Sequence, residues 1–434
     1  MIQVANIVKT FEISIIIVGN PALISTFGKV EIAEYQLAMN EVIIIKNGTL
    51  LTDGLVRKAD ILLKDGLIES IEETVSEDAI PENAHIIDAT GKYVSPGFID
   101  MHVHGGAGAD FMDGDIDSYR TAINLHTSHG TTLIFPTTLS STTESLFNAV
   151  KAYAKIKKAG LEGARMGGLH LEGPYFSYAK RGAQDPRYLS EPNPEEYLAL
   201  IEMAAGDIVR WSLAPELPGA LEMAEALSGR GVVMAMGHTD ATFEDCETAF
   251  RAGFTHMTHF FSCMSTVVKD GINRKAGAVE YGYYNDDVTV EIIGDGVHIP
   301  ASLLKLIYKI KGPGAVALIT DAVRPAGFSE GRYTLGIEGD GLGIVIEDGV
   351  AKLEDRSSLA GSVVTMDKVV RTVHELTGLP LAEVVQSATA TPARIMGYAD
   401  SKGSLKPGYD ADIVLFDEDV TVSHVIVGGR LQRI

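Results

Sequence analysis

The sequence predicts an α/β fold: a TIM-like (β/α)8 barrel with a small β-sandwich domain built from both chain ends. Three observations predict it. Eight short apolar runs between residues 93 and 320 are separated by segments that mostly carry helical spacing. Short strands punctuated by Asn-Gly and Asp-Gly turns precede these runs and return near the C-terminus. Potential metal ligands stand where the apolar runs end, the rim on which such a barrel gathers its working side chains.

The chain of 434 residues can bury a sizeable core, and its 46% hydrophobic and 22% charged residues are ordinary for a globular enzyme. A net charge of -22 speaks against nucleic acid or an anionic membrane as partner. No apolar run approaches the ~20 residues of a membrane span. Cys246 and Cys263, the only cysteines, cannot form a disulfide framework and suit a reducing cytoplasm.

Residues 1–38 show no clear period and read as a leader, either disordered or an over-extended start. Over 39–94 the runs Val42–Ile45, Leu50–Thr52, Ala59–Lys64, Leu67–Ile71 and His85–Asp88, with Asn47-Gly48 and Asp65-Gly66 turns, predict an antiparallel sheet. Its second part is expected over 399–434, in Gly403–Leu405, Asp412–Phe416 and Val420–Val427. The intervening 95–398 carries the barrel. Its strands are Tyr93–Met101, Thr131–Pro136, Arg165–Leu171, Val209–Ala214, Val232–Met236, Phe254–Thr258, Val288–Ile293 and Ala315–Thr320. Helices are expected at Ser118–His129, Glu144–Lys158, Pro194–Ala204, Gly219–Leu227, Phe243–Ala252 and Ala301–Ile310. Strands apolar on both faces argue a parallel sheet covered by helices. An open doubly wound sheet is the alternative, but no Gly-x-Gly-x-x-Gly follows the first strand. Two long segments, Phe260 to Asp287 and the glycine-rich Arg324 to Ala360, interrupt the rhythm on the side where loops carry function.

His102 and His104 follow the first strand two residues apart, so that side chains of one parity point the same way. Glu172, His238, His259 and Asp321 follow strands three, five, six and eight. Each alone reads as a loop or capping residue; jointly they occupy equivalent positions around one mouth. Imidazole with carboxylate suits Zn²⁺ or another borderline divalent ion. Parity turns His170 toward the barrel interior beside Glu172 and turns His256 toward the surrounding helices. His85, His126, His129, His374 and His424 read as structural or solvated.

The stretches Pro96-Gly97-Phe98-Ile99-Asp100-Met101-His102-Val103-His104-Gly105-Gly106, His170-Leu171-Glu172-Gly173-Pro174, Gly237-His238-Thr239, Thr258-His259 and Thr320-Asp321-Ala322 resemble the amidohydrolase superfamily, and within it the N-acetylglucosamine-6-phosphate deacetylase family. Leu405 to Val414 is similar to that superfamily's return into its β-sandwich. The resemblance runs from about Met39 to the end, and Leu171-Glu172-Gly173-Pro174 is its most specific motif. It implies a metal-dependent hydrolase barrel in which Glu172, His238 and His259 hold the principal ion. His102, His104, Glu172 and Asp321 would hold a second. The implied cofactor is one or two divalent ions per subunit, Zn first, with Fe, Mn, Co or Ni as alternatives. Asp321 is the implied catalytic acid–base, and the implied reaction is removal of the N-acetyl group of N-acetylglucosamine 6-phosphate.

The substrate wall departs from the family pattern. Where relatives carry Gly-Ala-His, this chain has Gly182-Ala183-Gln184, and Gln184 donates a hydrogen bond without a charge. Ser262-Cys263 replace an Asn-Ala whose backbone holds the sugar phosphate. Arg274, in Arg274-Lys275-Ala276-Gly277, and His298, in Asp295-Gly296-Val297-His298, match the phosphate contacts. The resemblance implies a homodimer in which Arg274, and with it His298, serves the neighbouring site. The altered wall leaves N-acetylgalactosamine 6-phosphate as a rival substrate. A cyclic-amide hydrolase is more distant, because strand four ends in Ala214-Pro215-Glu216 without the lysine such enzymes use to bridge metals. A binding-only barrel would be expected to lack ligands, and none of the six is missing.

Overall fold

The computed structural model describes residues 42–434. The leader expected over 1–38 lies outside the described residues.

Eight parallel strands, Phe98–Val103, Thr131–Thr138, Leu169–Glu172, Ile208–Leu213, Val233–Met236, Phe254–Met257, Thr289–Ile293 and Val316–Ile319, pair in sequence order. The eighth meets the first at the rim: Asp321 N–H donates to His102 O at 3.0 Å and His104 N–H to Ala322 O at 2.8 Å. Lower down, Thr320 Oγ1 donates to Asp100 Oδ2 at 2.6 Å. The barrel is thus nearly closed, its seam carried by loop and side-chain bonds.

Helices cover it, with starts set by side-chain caps that satisfy orphan N–H groups. Asp115 caps Ile116–Ser128, Thr142 caps Thr143–Ala159, Asn193 caps Pro194–Ala204, and Thr242 with Asp245 forms a capping box on Phe243–Ala252. Met366–Thr377, Leu381–Ala388 and Ala390–Ile395 were not read from the sequence. Ile99, Met101, Leu133, Phe135, Ala317 and Ile319 pack with Ala393 and Met396 of the last of these helices and its cap.

The chain ends form one eight-stranded sheet around a shared core that includes Ile43, Ile61, Val94, Ile413 and Ile426. Most of its pairings are antiparallel, but Ile43–Thr52 runs parallel to His85–Asp88 and to Tyr93–Pro96.

The structure corrects three details and adds a fourth. The run Tyr93–Met101 is two strands: Tyr93–Pro96 belongs to the end sheet, and the barrel starts at Phe98. The break falls at Gly97, where a Cβ would lie 2.1 Å from Thr132 Oγ1. Arg165–Leu171 likewise splits into Arg165–Met166 and Leu169–Glu172 around Gly167-Gly168. Gly403–Leu405 is a loop, held by Leu405 N–H on Thr52 Oγ1 and by buried Lys402 between Asp410 and Asp412. The two long segments are structured. One carries the exposed hairpin Val268–Asp270/Asn273–Lys275 and the helix Ala278–Tyr284. The other forms the sheet Gly331–Leu335, Leu342–Glu347 and Val350–Leu353, tied down by Arg324 between Asp113 and Gly336 O.

Candidate metal centre

The six expected ligand residues meet at the mouth in two groups, His102/His104/Asp321 and Glu172/His238/His259, all buried. Glu172 joins them. Its Oε1 lies 3.0 Å from His259 Nε2 and 3.3 Å from His238 Nε2, while its Oε2 lies 3.4 Å from His104 Nε2. His104 Nε2 stands 3.1 Å from Asp321 Oδ1 and 3.3 Å from His102 Nε2.

The outer ring nitrogens decide whether this donor set fits a metal. His238 Nδ1 is 3.0 Å from Lys180 O, and His259 Nδ1 is 3.1 Å from Ser262 O. A carbonyl can only accept, so both protons sit on Nδ1 and both Nε2 atoms present lone pairs, 3.0 Å apart. Two lone pairs facing each other beside a carboxylate oxygen repel unless a cation or proton lies between them. His102 has the same arrangement, with Nδ1 2.8 Å from Glu291 Oε1. The residues therefore fit a divalent ion in each group.

The electrostatics agree. Burial pushes the Glu172 carboxyl up, but His102, His238 and His259 outweigh it and hold it well below the ordinary range. Burial likewise opposes the charge on His104, yet Asp321 and Glu172 lift its pKa to about 9. Cys263 and Glu172 overcome burial to raise His238. A site that draws protons onto its imidazoles has the field to hold cations there instead. Asp321 is ionised: burial raises its carboxyl, and His102 and His104 more than reverse that.

Three of the expected ligands leave the strand in left-handed backbone: His238 at φ 47°, His259 at φ 27° and Asp321 at φ 48°. That turn aims each side chain into the mouth. It also corrects the expectation for His256. Parity between His256 and His259 fails because His259 lies beyond the strand, so His256 faces inward, buried, with Nδ1 2.7 Å from Thr289 Oγ1 and Nε2 3.5 Å from Glu291 Oε2. His170 faces inward as parity indicates, bonded to Thr137 and Ser212.

Beneath the ligands lies a pair not singled out from the sequence. Arg210 Nη1 donates to Glu291 Oε2 at 2.6 Å and to Met101 O at 3.1 Å, and Nη2 donates to Thr258 Oγ1. Both side chains are fully buried. The signal was present: a charged residue inside an otherwise apolar barrel strand must be paired.

A cavity of about 230 Å³ opens above the ligands, with Gln184, Ser262, Cys263 and His298 in its wall. His298 Nδ1 is 2.6 Å from Asp295 Oδ2, which leaves Nε2 for a ligand; burial opposes its charge, and Asp295 raises its pKa nonetheless. Gln184, expected to face substrate, spends both polar atoms on the protein. Its Oε1 accepts from Ser140 N–H at 2.8 Å and its Nε2 donates to Glu172 Oε2 at 2.6 Å. Arg274 is not brought to the cavity; it lies exposed on the hairpin, and no Lys or Arg lines the cavity among the described residues. No helix among them is long and apolar enough to cross a membrane.

A family model described as "Amidohydrolase family" matches residues 93–431. The chain is 31% identical over 391 residues to an N-acetylglucosamine-6-phosphate deacetylase of Lysinibacillus sphaericus, covering 90% of this chain and 97% of the relative. It is 32% identical over 390 residues to an N-acetylgalactosamine-6-phosphate deacetylase of Escherichia coli O157:H7, covering 89% and 98%. Among solved structures, an N-acetyl-D-glucosamine-6-phosphate deacetylase of Mycobacterium smegmatis, in complex with N-acetyl-D-glucosamine-6-phosphate, superposes with TM-score 0.81 at 31% identity, over 90% of this chain and 99% of that one.

Proposed function

Because the chain belongs to the amidohydrolase family, and within it to the N-acetylglucosamine-6-phosphate deacetylases, we propose that it hydrolyses the N-acetyl group of N-acetylglucosamine 6-phosphate to glucosamine 6-phosphate and acetate. The observation that carries this reading is the convergence of two ligand groups on one carboxylate, Glu172, at the floor of a cavity that also holds the ionised Asp321.

When bound, a divalent ion polarises the amide carbonyl and acidifies the attacking water. We assign one or two ions per subunit, zinc first, since the two imidazoles and one carboxylate of each group suit a borderline metal. Asp321 takes a proton from the water as its oxygen bonds to the carbonyl carbon. It then gives that proton to the nitrogen as the C–N bond breaks, and acetate departs. Gln184 keeps the Glu172 carboxylate in place during this cycle. His298, held by Asp295, offers Nε2 to the sugar phosphate.

One histidine is little positive charge for a phosphate. The hairpin bearing Arg274 also exposes Val267, Val268 and Ile272, the last 94% exposed, and we infer that this face pairs with a second copy. Arg274 of the partner subunit then supplies the forked donor that the cavity lacks. The two cysteines are free thiols, in keeping with a reducing cytoplasm.

N-Acetylgalactosamine 6-phosphate is the second reading, favoured by the 32% identity of the E. coli relative, against 31% for the L. sphaericus one, and by Ser262 and Cys263 in the cavity wall. Acetate release is measured over a panel of phosphorylated and unphosphorylated N-acetyl hexosamines, with and without chelator. Turnover confined to the phosphorylated glucosamine derivative and abolished by chelator is expected. Preference for the galactosamine epimer selects the second reading, and chelator-resistant turnover rejects the metal-dependent mechanism.

A further inference from the structure

The four histidines at the mouth are not held alike. His238 and His259 have their Nδ1 protons fixed by the main-chain carbonyls of Lys180 and Ser262, which no side-chain substitution removes. His104 Nδ1 is buried and has no partner among the described residues. His102 alone is fixed by a side chain, the Glu291 carboxylate, whose Oε1 also accepts the His259 backbone N–H at 3.1 Å. Glu291 is in turn held by Arg210 at 2.6 Å on its other oxygen. Two donors thus converge on Oε1 and a buried guanidinium on Oε2. An ionised carboxylate satisfies all three, and a neutral amide cannot.

We propose that Glu291, anchored by Arg210, is the positioning residue that decides whether the second ion, at His102/His104/Asp321, is bound. It does so by keeping the proton of His102 on Nδ1 and the lone pair on Nε2. The proposal rests on the metal-dependent reading of the site, and it extends that reading to an asymmetry: the Nδ1 protons of His238 and His259 are held by main-chain carbonyls, that of His102 by one buried ion pair. Replacing the carboxylate by an amide forces a choice. Arg210 only donates and cannot lose its charge, so the amide oxygen turns to Arg210 and the NH2 to His102. His102 then accepts on Nδ1, carries its proton on Nε2, and no longer ligates.

The test uses the full chain, stripped by chelator and titrated with zinc alone, with bound metal counted by elemental analysis and affinities taken by calorimetry. Wild type binds two ions. Glu291→Gln keeps the first and binds the second roughly 10- to 100-fold more weakly, the usual cost of losing such a partner. A pair of variants without buried charge isolates the acceptor. Arg210→Met/Glu291→Gln, whose amide oxygen is free to face His102, retains both ions, whereas Arg210→Met/Glu291→Leu, with no acceptor there, retains only the first. Circular dichroism establishes that each is folded, and the double pair decides the matter even if the single variant does not fold. The proposal is overturned if the two double variants bind the second ion equally, if Glu291→Gln binds both as wild type does, or if both ions weaken together. One ion in wild type also overturns it. In that case chelator-sensitive acetate release leaves the deacetylase reading standing, whereas no bound ion at all removes both.

Discussion

Replacing Gln184 by leucine, a side chain of similar bulk, separates two roles that the residue could have: contact with the substrate carbonyl, or support for Glu172. The substitution removes a 2.6 Å hydrogen bond to a carboxylate, about 1.5–3 kcal/mol, and leaves the buried Ser140 N–H without its 2.8 Å acceptor, about 1–3 kcal/mol more. A loss of about 2.5–6 kcal/mol is therefore expected in urea unfolding of the metal-free protein at pH 7.5. Glu172 is also freed to rotate, so zinc affinity falls roughly 10- to 100-fold, the scale on which such supporting partners act. At saturating zinc, KM for substrate stays within about twofold, since both polar atoms of Gln184 are engaged by Ser140 and Glu172. Unchanged stability and zinc affinity combined with a large fall in kcat would refute the reasoning and return Gln184 to the substrate.

Asp321→Asn lowers kcat by ~10²–10⁴-fold while the protein remains folded, because the amide cannot accept the water's proton; full activity rejects the assignment. Arg274→Ala raises KM for the phosphorylated substrate by roughly 10- to 100-fold, the worth of a charged hydrogen bond, and leaves an unphosphorylated analogue unaffected. Ile272→Asp places a charge on the exposed hairpin and yields monomers in sedimentation velocity; a dimer unchanged by it moves the interface elsewhere. His126 is buried with Nε2 2.9 Å from Gly105 O, and burial lowers its pKa from 6.5 to about 4. The unfolded chain thus takes up this proton first as pH falls, so the contribution is full above pH 6.5 and is lost on acidification toward pH 4. His126→Gln keeps a donor for Gly105 and should reduce the stability difference between pH 7.5 and pH 5 by about 2 kcal/mol, read from urea midpoints.

The eight-fold alternation was legible because strands buried on both faces leave uninterrupted apolar runs, such as Val316–Ile319. The candidate ligand residues were legible because each stands just where a run stops. The passage from end sheet to barrel was not: Pro96-Gly97 sits inside a single apolar run, and only the collision a side chain at Gly97 would make with Thr132 marks the seam. Period-two reasoning placed His170 but misplaced His256, since it assumed a strand that had already ended before His259. Arg210 and Glu291 were visible as charges within buried strands, yet their partners come from strands far apart in sequence. The three-stranded sheet at 331–353 was hidden by its glycines, which erase alternation. Gln184 could be matched to a family position, but its two bonds depend on Ser140 and Glu172 arriving from separate strands.

His238, His259 and Asp321 hold a backbone twist that residues with a side chain adopt at a cost of about 1–2 kcal/mol each. Glycine bears no such cost, so trading any of the three for glycine would relax the main chain while emptying the rim of a donor. Mutational drift that abolishes turnover can therefore leave a sturdier molecule behind. Screens that score only thermal resistance or expression yield would reward inactive descendants of this enzyme, and must be paired with a count of bound metal.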